Sequence, residues 1–362
     1  MKIPVYRPYL EGNEKTYVIQ CLDSSWISSR GDFVSKFEAR FTEFTGCNHA
    51  TSVCNGTVAI HLALVALGIG AGDEVIVPTF TYVATVNMIL LAGAKPVFVD
   101  SSAAGWNLDI EQIEGKITSR TRAVLAVHIY GQACDMEKLQ VVCDRHNLLL
   151  VEDCAEAFGT LYRGRHVGTF GDAATFSFFG NKTLTTGEGG MVVCRKQETH
   201  DKAYHLKTQA VSPSIEYFHD VPGFNYRMTN ICAAIGFAQL EKAEEIIARK
   251  TVIARRYMEG LSGVEGIEFQ KELPETRHSY WMVSLLLRSR KERESVRAFL
   301  RHQGIETRPL FHPAHTLPYF QSRELFLVAE DLHERGINLP SWPGLSDDQI
   351  AEVCSRLREA IR

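Results

Sequence analysis

The sequence predicts an α/β fold: a large domain with a mostly parallel central sheet, plus a smaller C-terminal α/β domain. Three observations lead there. Short Val/Ile/Leu runs alternate with helical segments from residue 50 to residue 155; strands of that kind, separated by helices, form parallel sheets covered on both faces. The pattern changes after a long amphipathic segment at 229–250. The length, 362 residues, is enough for one large core and a second domain.

The elements follow in order. Strands are expected at Glu74–Pro78, Lys95–Asp100, Arg122–His128 and Leu148–Asp153, and a further strand-like run at Thr175–Phe179. Helices are expected at Thr57–Leu67, Tyr82–Leu91, Asp109–Ile117 and Met136–Asn147. Thr229–Lys250 reads as one long helix with an apolar face of Ile231, Ala234, Ile235, Ala238, Leu240, Ile246 and Ile247. A strand at Tyr280–Leu287, a helix at Glu292–Gln303 and a helix at Asp347–Ile361 make up the rest. The domain change is placed near residue 245. This divides the chain into a large domain, 1–245, with an N-terminal arm, 1–30, and a small domain, 246–362.

Composition excludes several classes of function. A formal net charge of -4 gives no reason to expect a nucleic acid or an anionic membrane as partner. No apolar run is long enough to span a bilayer. The first residues, MKIPVYRPYLEGNEK, lack the apolar core of a signal peptide, which points to the cytoplasm. Nine singly scattered cysteines are expected to be reduced thiols, and no histidine or cysteine spacing predicts a metal site.

Ligands of parallel sheets bind outside the carboxyl ends of strands, so Asp100, His128 and Asp153 are site candidates by position. Asn55 is a plausible N-cap, leaving the N–H groups of Gly56 and Thr57 free for a phosphate at a helix start. Asp153 suits either a cationic partner or a helix N-cap, with Glu156 as capping-box partner or a second group facing the same ligand. Tyr82 can stack on a flat ring or belong to the core. Lys182 lies between a strand-like run and a Thr/Gly-rich segment; it is either a surface residue or a lysine held against a carbonyl, able to form a Schiff base. Combined, these residues suit an aromatic aldehyde with a ring nitrogen and a phosphate: pyridoxal 5′-phosphate.

The ordered blocks NGT (55–57), PTFTY (78–82), EDCAEA (152–157), FSFFGNK (176–182), GEGG (187–190) and GFNYRM (223–228) resemble the DegT/DnrJ/EryC1/StrS family of sugar-nucleotide aminotransferases. The resemblance runs from Pro4 to the C-terminal helix. It implies the fold-type I aminotransferase architecture and a homodimer with shared active sites. It also implies that Lys182 is the Schiff-base lysine, that Asp153 holds the pyridine nitrogen and that Tyr82 covers a ring face. Gly56, Thr57 and Ser177 would bind the phosphate, and Asn225 would reach the neighbouring subunit's cofactor. Glu156 departs from the family's usual glutamine. Lysine rather than histidine at 182 favours amino transfer over the family's sugar 3-dehydration.

WISSRG (26–31), residues 178–190 and TRPLFHP (307–313) resemble a subgroup acting on GDP-linked 4-keto-6-deoxy sugars. That likeness implies substrate contacts from Trp26, Ser28, Arg30, Lys182, Glu188, Arg308 and His312. Arg30 and Arg308 would meet the diphosphate, or else form surface ion pairs. L-Glutamate is the expected amino donor, and the sugar accepts the amine at its C4 carbonyl. The rival functions are amination of a UDP- or dTDP-linked sugar, dehydration, and a non-enzymatic regulator on the same scaffold.

Overall fold

The computed structural model describes every residue except Gln321, Arg323 and Arg362. Its main sheet has seven strands in the order His49–Val53, Gly190–Cys194, Ala173–Ser177, Leu149–Asp153, Thr121–Val127, Glu74–Pro78, Lys95–Val99. Only Gly190–Cys194 runs antiparallel to its neighbours; the other five strands from Ala173–Ser177 onward pair in parallel. The period-two alternation of side chains sends Val75, Val77, Ala123, Leu125 and Val127 into one apolar cluster. Ile76, Val124, Ala126 and Leu150 enter another, on the opposite face. Burial on both faces is why these strands are apolar throughout.

Two expected helices are built differently. Asp109–Ile117 forms two short 3₁₀ turns, Ile110–Gln112 and Glu114–Lys116. The Asp109 carboxylate accepts from Glu111 N and Gln112 Nε2, which tightens the turn, and only Ile113 is buried to reward a longer helix. Thr229–Lys250 is two helices, Asn230–Glu241 and Ala243–Gly260, broken at Lys242 (φ -103°, ψ 5°). The second spans two cores. Its Ile246 and Ile247 pack under the main sheet, while Ile253, Ala254 and Tyr257 join the C-terminal core. Residue 245 therefore falls inside a helix.

The C-terminal core is closed by an antiparallel sheet ordered Glu268–Phe269, Val283–Leu286, Gly336–Leu339, Arg308–Pro309. The strand expected at Tyr280–Leu287 is shorter because Tyr280 has a positive φ of 50° and donates its N–H to His278 Nδ1. Helices Arg290–His302 and Asp347–Ile361 cover this sheet. The N-terminal segment also reaches it. Ile3 is fully buried in this core and pairs with Ile305. All nine cysteines are free thiols. No helix among the described residues is long and apolar enough to cross a membrane.

Candidate active site

A cavity of about 390 Å³ opens at the carboxyl ends of the parallel strands. Asp153 ends one strand, Ser177 the next, and Val127 a third; all three line it. The helix Gly56–Ala66 starts at its rim, capped by Asn55, whose Oδ1 accepts from Val58 N at 2.9 Å. This leaves the N–H groups of Gly56 and Thr57 without that cap. Two glycines allow the close approach. A Cβ on Gly56 would lie 2.6 Å from Ser177 Cβ and 2.9 Å from Ser177 Oγ. A Cβ on Gly190 would lie 2.5 Å from the Asn55 carbonyl oxygen. The helix start and the end of the Ala173–Ser177 strand thus form a cradle in which the Ser177 side chain leaves no room for a Cβ at position 56.

Asp153 is buried. Its Oδ2 accepts from Thr85 Oγ1 at 2.7 Å and its Oδ1 from Ala155 N at 3.0 Å. No helix begins at Cys154, so the N-cap role does not arise. Glu156 is buried too; its Oε2 accepts from Tyr130 N at 2.7 Å, and its Oε1 lies 3.9 Å from Lys182 Nζ.

Lys182 is no surface residue: its side chain is 12% exposed, and Nζ stands 3.9 Å from the centroid of the Trp281 ring. Its backbone is fixed by Lys182 N to Phe179 O at 2.9 Å and by Tyr6 OH to Lys182 O at 2.5 Å. Burial drives the Lys182 amine below its ordinary value, with the Glu156 and Asp153 carboxylates opposing. Burial likewise drives the Glu156 carboxyl upward, opposed by Lys182. Both shifts favour the neutral forms.

One cavity therefore gathers Gly56, Thr57, Tyr82, Asp153, Glu156, Ser177, Lys182 and Glu188. Tyr82 is half exposed, its ring 5.6 Å from that of Phe311. Other expected residues lie outside this cavity within a single chain. Trp26, Ser28 and Arg30 sit on an exposed stretch, pinned where Asn230 Nδ2 donates to Trp26 O at 2.7 Å. Asn225 is exposed and accepts from Arg227 Nε. Arg308 pairs with Glu306 at 2.6 Å, and the exposed His312 rests against His333, ring centroids 3.8 Å apart.

Two strand-end candidates are structural. Asp100 accepts from Val328 N and Ala329 N, capping the distant helix Leu327–Arg335. His128 is fully buried; Nδ1 accepts from Cys134 N and Nε2 meets Glu152 at 3.1 Å. Glu152 also accepts three backbone N–H groups, from Gly168, Phe170 and Gly171. His128, Glu152 and Cys154 cluster like metal ligands, yet the histidine nitrogens and the carboxylate are already engaged.

Sequence reading missed Thr85, Tyr6, Asn181, Trp281 and Phe311. Thr85 carried a signal: it stands three residues after Tyr82, one helical turn into the segment that starts at a strand end. Phe311 lies within the TRPLFHP block and so carried one too, whereas Trp281 carried none.

Against known families, residues 8–358 match the model described as the DegT/DnrJ/EryC1/StrS aminotransferase family. The chain belongs to this family. The aminotransferase is 53% identical over 358 residues to the GDP-perosamine synthase of Escherichia coli O157:H7, covering 99% of this chain and 98% of that one. It is 52% identical over 361 residues to the GDP-perosamine synthase of Vibrio cholerae, covering 98% of each. Among solved structures, the DesV protein of S. venezuelae, crystallised with a ketimine intermediate, superposes with a TM-score of 0.91 at 33% identity, covering 97% of this chain and 94% of that one. The PLP form of the putative sugar aminotransferase Spr1654 of Streptococcus pneumoniae gives 0.95 at 27% identity, covering 100% and 99%.

Proposed function

We infer that this aminotransferase uses pyridoxal 5′-phosphate to move the amino group of L-glutamate to C4 of GDP-4-keto-6-deoxy-D-mannose, giving GDP-perosamine. The observation that carries this is the convergence of a buried lysine amine, a buried carboxylate and the N–H groups of Gly56 and Thr57 at a helix start on one cavity. The relatives' shared name, at about half identity over nearly the whole chain, supports the sugar.

The residues present fit the cofactor. The Gly56–Ser177 cradle excludes a Cβ at position 56, which suits a phosphate seat on backbone N–H groups. Asp153 is buried and, among the described residues, accepts from Thr85 Oγ1 and Ala155 N, which leaves lone pairs for the ring N–H. Bound there, the cofactor supplies an electron sink for the carbon that gains or loses the amine. Everything else is the work of the chain. Lys182, pushed toward its neutral form by burial, can hold the cofactor covalently and, once released, take a proton from the substrate carbon and return it. Glu156, pushed toward its protonated form, can donate to an oxygen on the ring. Tyr82 would cover one ring face, and Glu188, at the rim, would face the sugar.

The working unit is a homodimer. Two features support it: Asn225 lies outside its own chain's cavity, and the segment just before it exposes Ile215, Tyr217, Phe218 and Val221. Trp26, Ser28, Arg30, Arg308 and His312 would contact the GDP-sugar at the assembled site. The chain divides functionally near 245, the cytoplasm is the site of action, and the product is suited to O-antigen synthesis.

The test offers GDP-, UDP- and dTDP-linked 4-keto-6-deoxy sugars with glutamate and follows product by mass. Amination of the GDP-sugar is expected; its absence overturns the substrate assignment. Borohydride reduction of the loaded enzyme should place the modification on Lys182, and any other lysine overturns its role.

A further inference from the structure

Lys250 is buried without trace of solvent exposure in helix Ala243–Gly260, and no carboxylate pairs with it among the described residues. A lysine in such a place is costly unless its donors are used. They are. Nζ donates to Trp281 O at 2.8 Å and to Ser341 O, and it lies 5.3 Å from the Tyr6 ring centroid. The location is specific. Val283 and Leu339 are the last registered pair of their two antiparallel strands. Past them the ladder opens, and the carbonyls of Trp281 and Ser341 both accept from the lysine instead of from strand N–H groups.

Trp281, held by its carbonyl, and Tyr6, beside the lysine by its ring, both reach Lys182. The Trp281 ring lies 3.9 Å from Lys182 Nζ, and its Nε1 donates to Asn181 O at 2.6 Å. Tyr6 OH donates to Lys182 O at 2.5 Å. We propose that Lys250 is a positioning residue for Lys182: it holds Trp281 and Tyr6 where they fix the amine and the carbonyl of that residue. A methionine would fill the same volume but leave two buried carbonyls unpaired, and the segment carrying Trp281 would shift to find other donors. Burial lowers the Lys250 amine to about 7. The neutral amine still has two N–H groups for two carbonyls, so the bridge holds in either protonation state.

The inference rests on Lys182 being the reacting amine, so the first measurement uses no sugar and no cofactor. The full chain without cofactor is reductively methylated at mildly alkaline pH, and peptide mapping gives the rate at Lys182 relative to exposed lysines. In folded Lys250→Met the rate at Lys182 rises several-fold, because Trp281 no longer covers it. In the loaded enzyme, kcat falls by about 10- to 100-fold, the scale of a roughly 1 Å misplacement, with the KM for the sugar nearly unchanged. Lys250→Gln, which keeps two N–H donors, recovers part of both effects. An unchanged Lys182 rate in folded Lys250→Met overturns the proposal, and so does a kcat equal to that of the parent. If Lys250→Met does not fold, the same two criteria are applied to Lys250→Leu, which also removes both donors. A Lys182 rate that responds while no sugar is aminated would sink the substrate assignment and leave the positioning role standing.

Discussion

Replacing Gly56 by alanine tests the cradle directly. The new methyl would stand 2.6 Å from Ser177 Cβ, 2.9 Å from its Oγ and 3.1 Å from its Cα. Carbon atoms rest about 3.5–4.0 Å apart, so the helix start must retreat by about 1 Å or Ser177 must turn away. Overpacking of this size costs about 1–3 kcal/mol. Borne by the cofactor complex, that is a loss of roughly 5- to 150-fold in affinity. Borne by the unloaded protein, it lowers the unfolding midpoint by about 1–4 °C for a chain this long. Equilibrium titration of the unloaded variant with pyridoxal 5′-phosphate, beside thermal unfolding without it, separates the two. Adding Ser177→Gly removes the two nearest atoms and should restore the unfolding midpoint, though not full affinity. Parent-like affinity in Gly56→Ala with an unchanged midpoint would refute the cradle.

Other outcomes follow from the same contacts. Asp100→Ala should destabilise the chain by about 1–2 kcal/mol through the lost cap and leave kcat unchanged, as measured by denaturation and steady-state kinetics; a large drop in kcat at full loading would return Asp100 to the active site. Glu156→Gln keeps an acceptor for Tyr130 N but removes the charge that opposes burial at Lys182. The Lys182 amine should therefore titrate lower still, seen as a downward shift in the pH dependence of its methylation. His166 and His278 each accept a backbone N–H, from Gly159 and Tyr280, and burial holds them at about 4 and about 3. The unfolded chain then binds more protons below the usual histidine value of about 6.5. Stability is full above pH 6.5 and lost as pH falls toward 4, by about 3 kcal/mol for His166 alone. His166→Gln should lessen the slope of that profile between pH 6.5 and 4 and leave the part below pH 4, which His278 sets, as it was, measured by denaturation across pH.

What could be seen in the sequence was whatever depends on neighbours along the chain. The parallel strands, the Asn55 cap and the strand-end position of Asp153 each follow from a few consecutive residues. Asp100 and His128 shared that position and went elsewhere, because their partners, the 327–335 helix and Glu152, are set by packing rather than by local pattern. Trp281 was hidden for the same reason. Nothing around residue 281 says that its ring will rest on an amine a hundred positions earlier. The break at Lys242 was invisible because the apolar spacing runs straight through it, while the two halves serve different cores.

Val5 donates its N–H to a carboxylate 301 residues further on, and Ile3 is enclosed by strands and helices from the other end of the sequence. During synthesis those first residues stay without partners until the C-terminal core exists. Contacts of such separation form late and slowly. Tyr6 is on the same stretch, so the bond that steadies the Lys182 carbonyl is among the last to close. The sheet and its cradle can form well before the lysine they serve is held still, and catalytic competence becomes a report on completed folding.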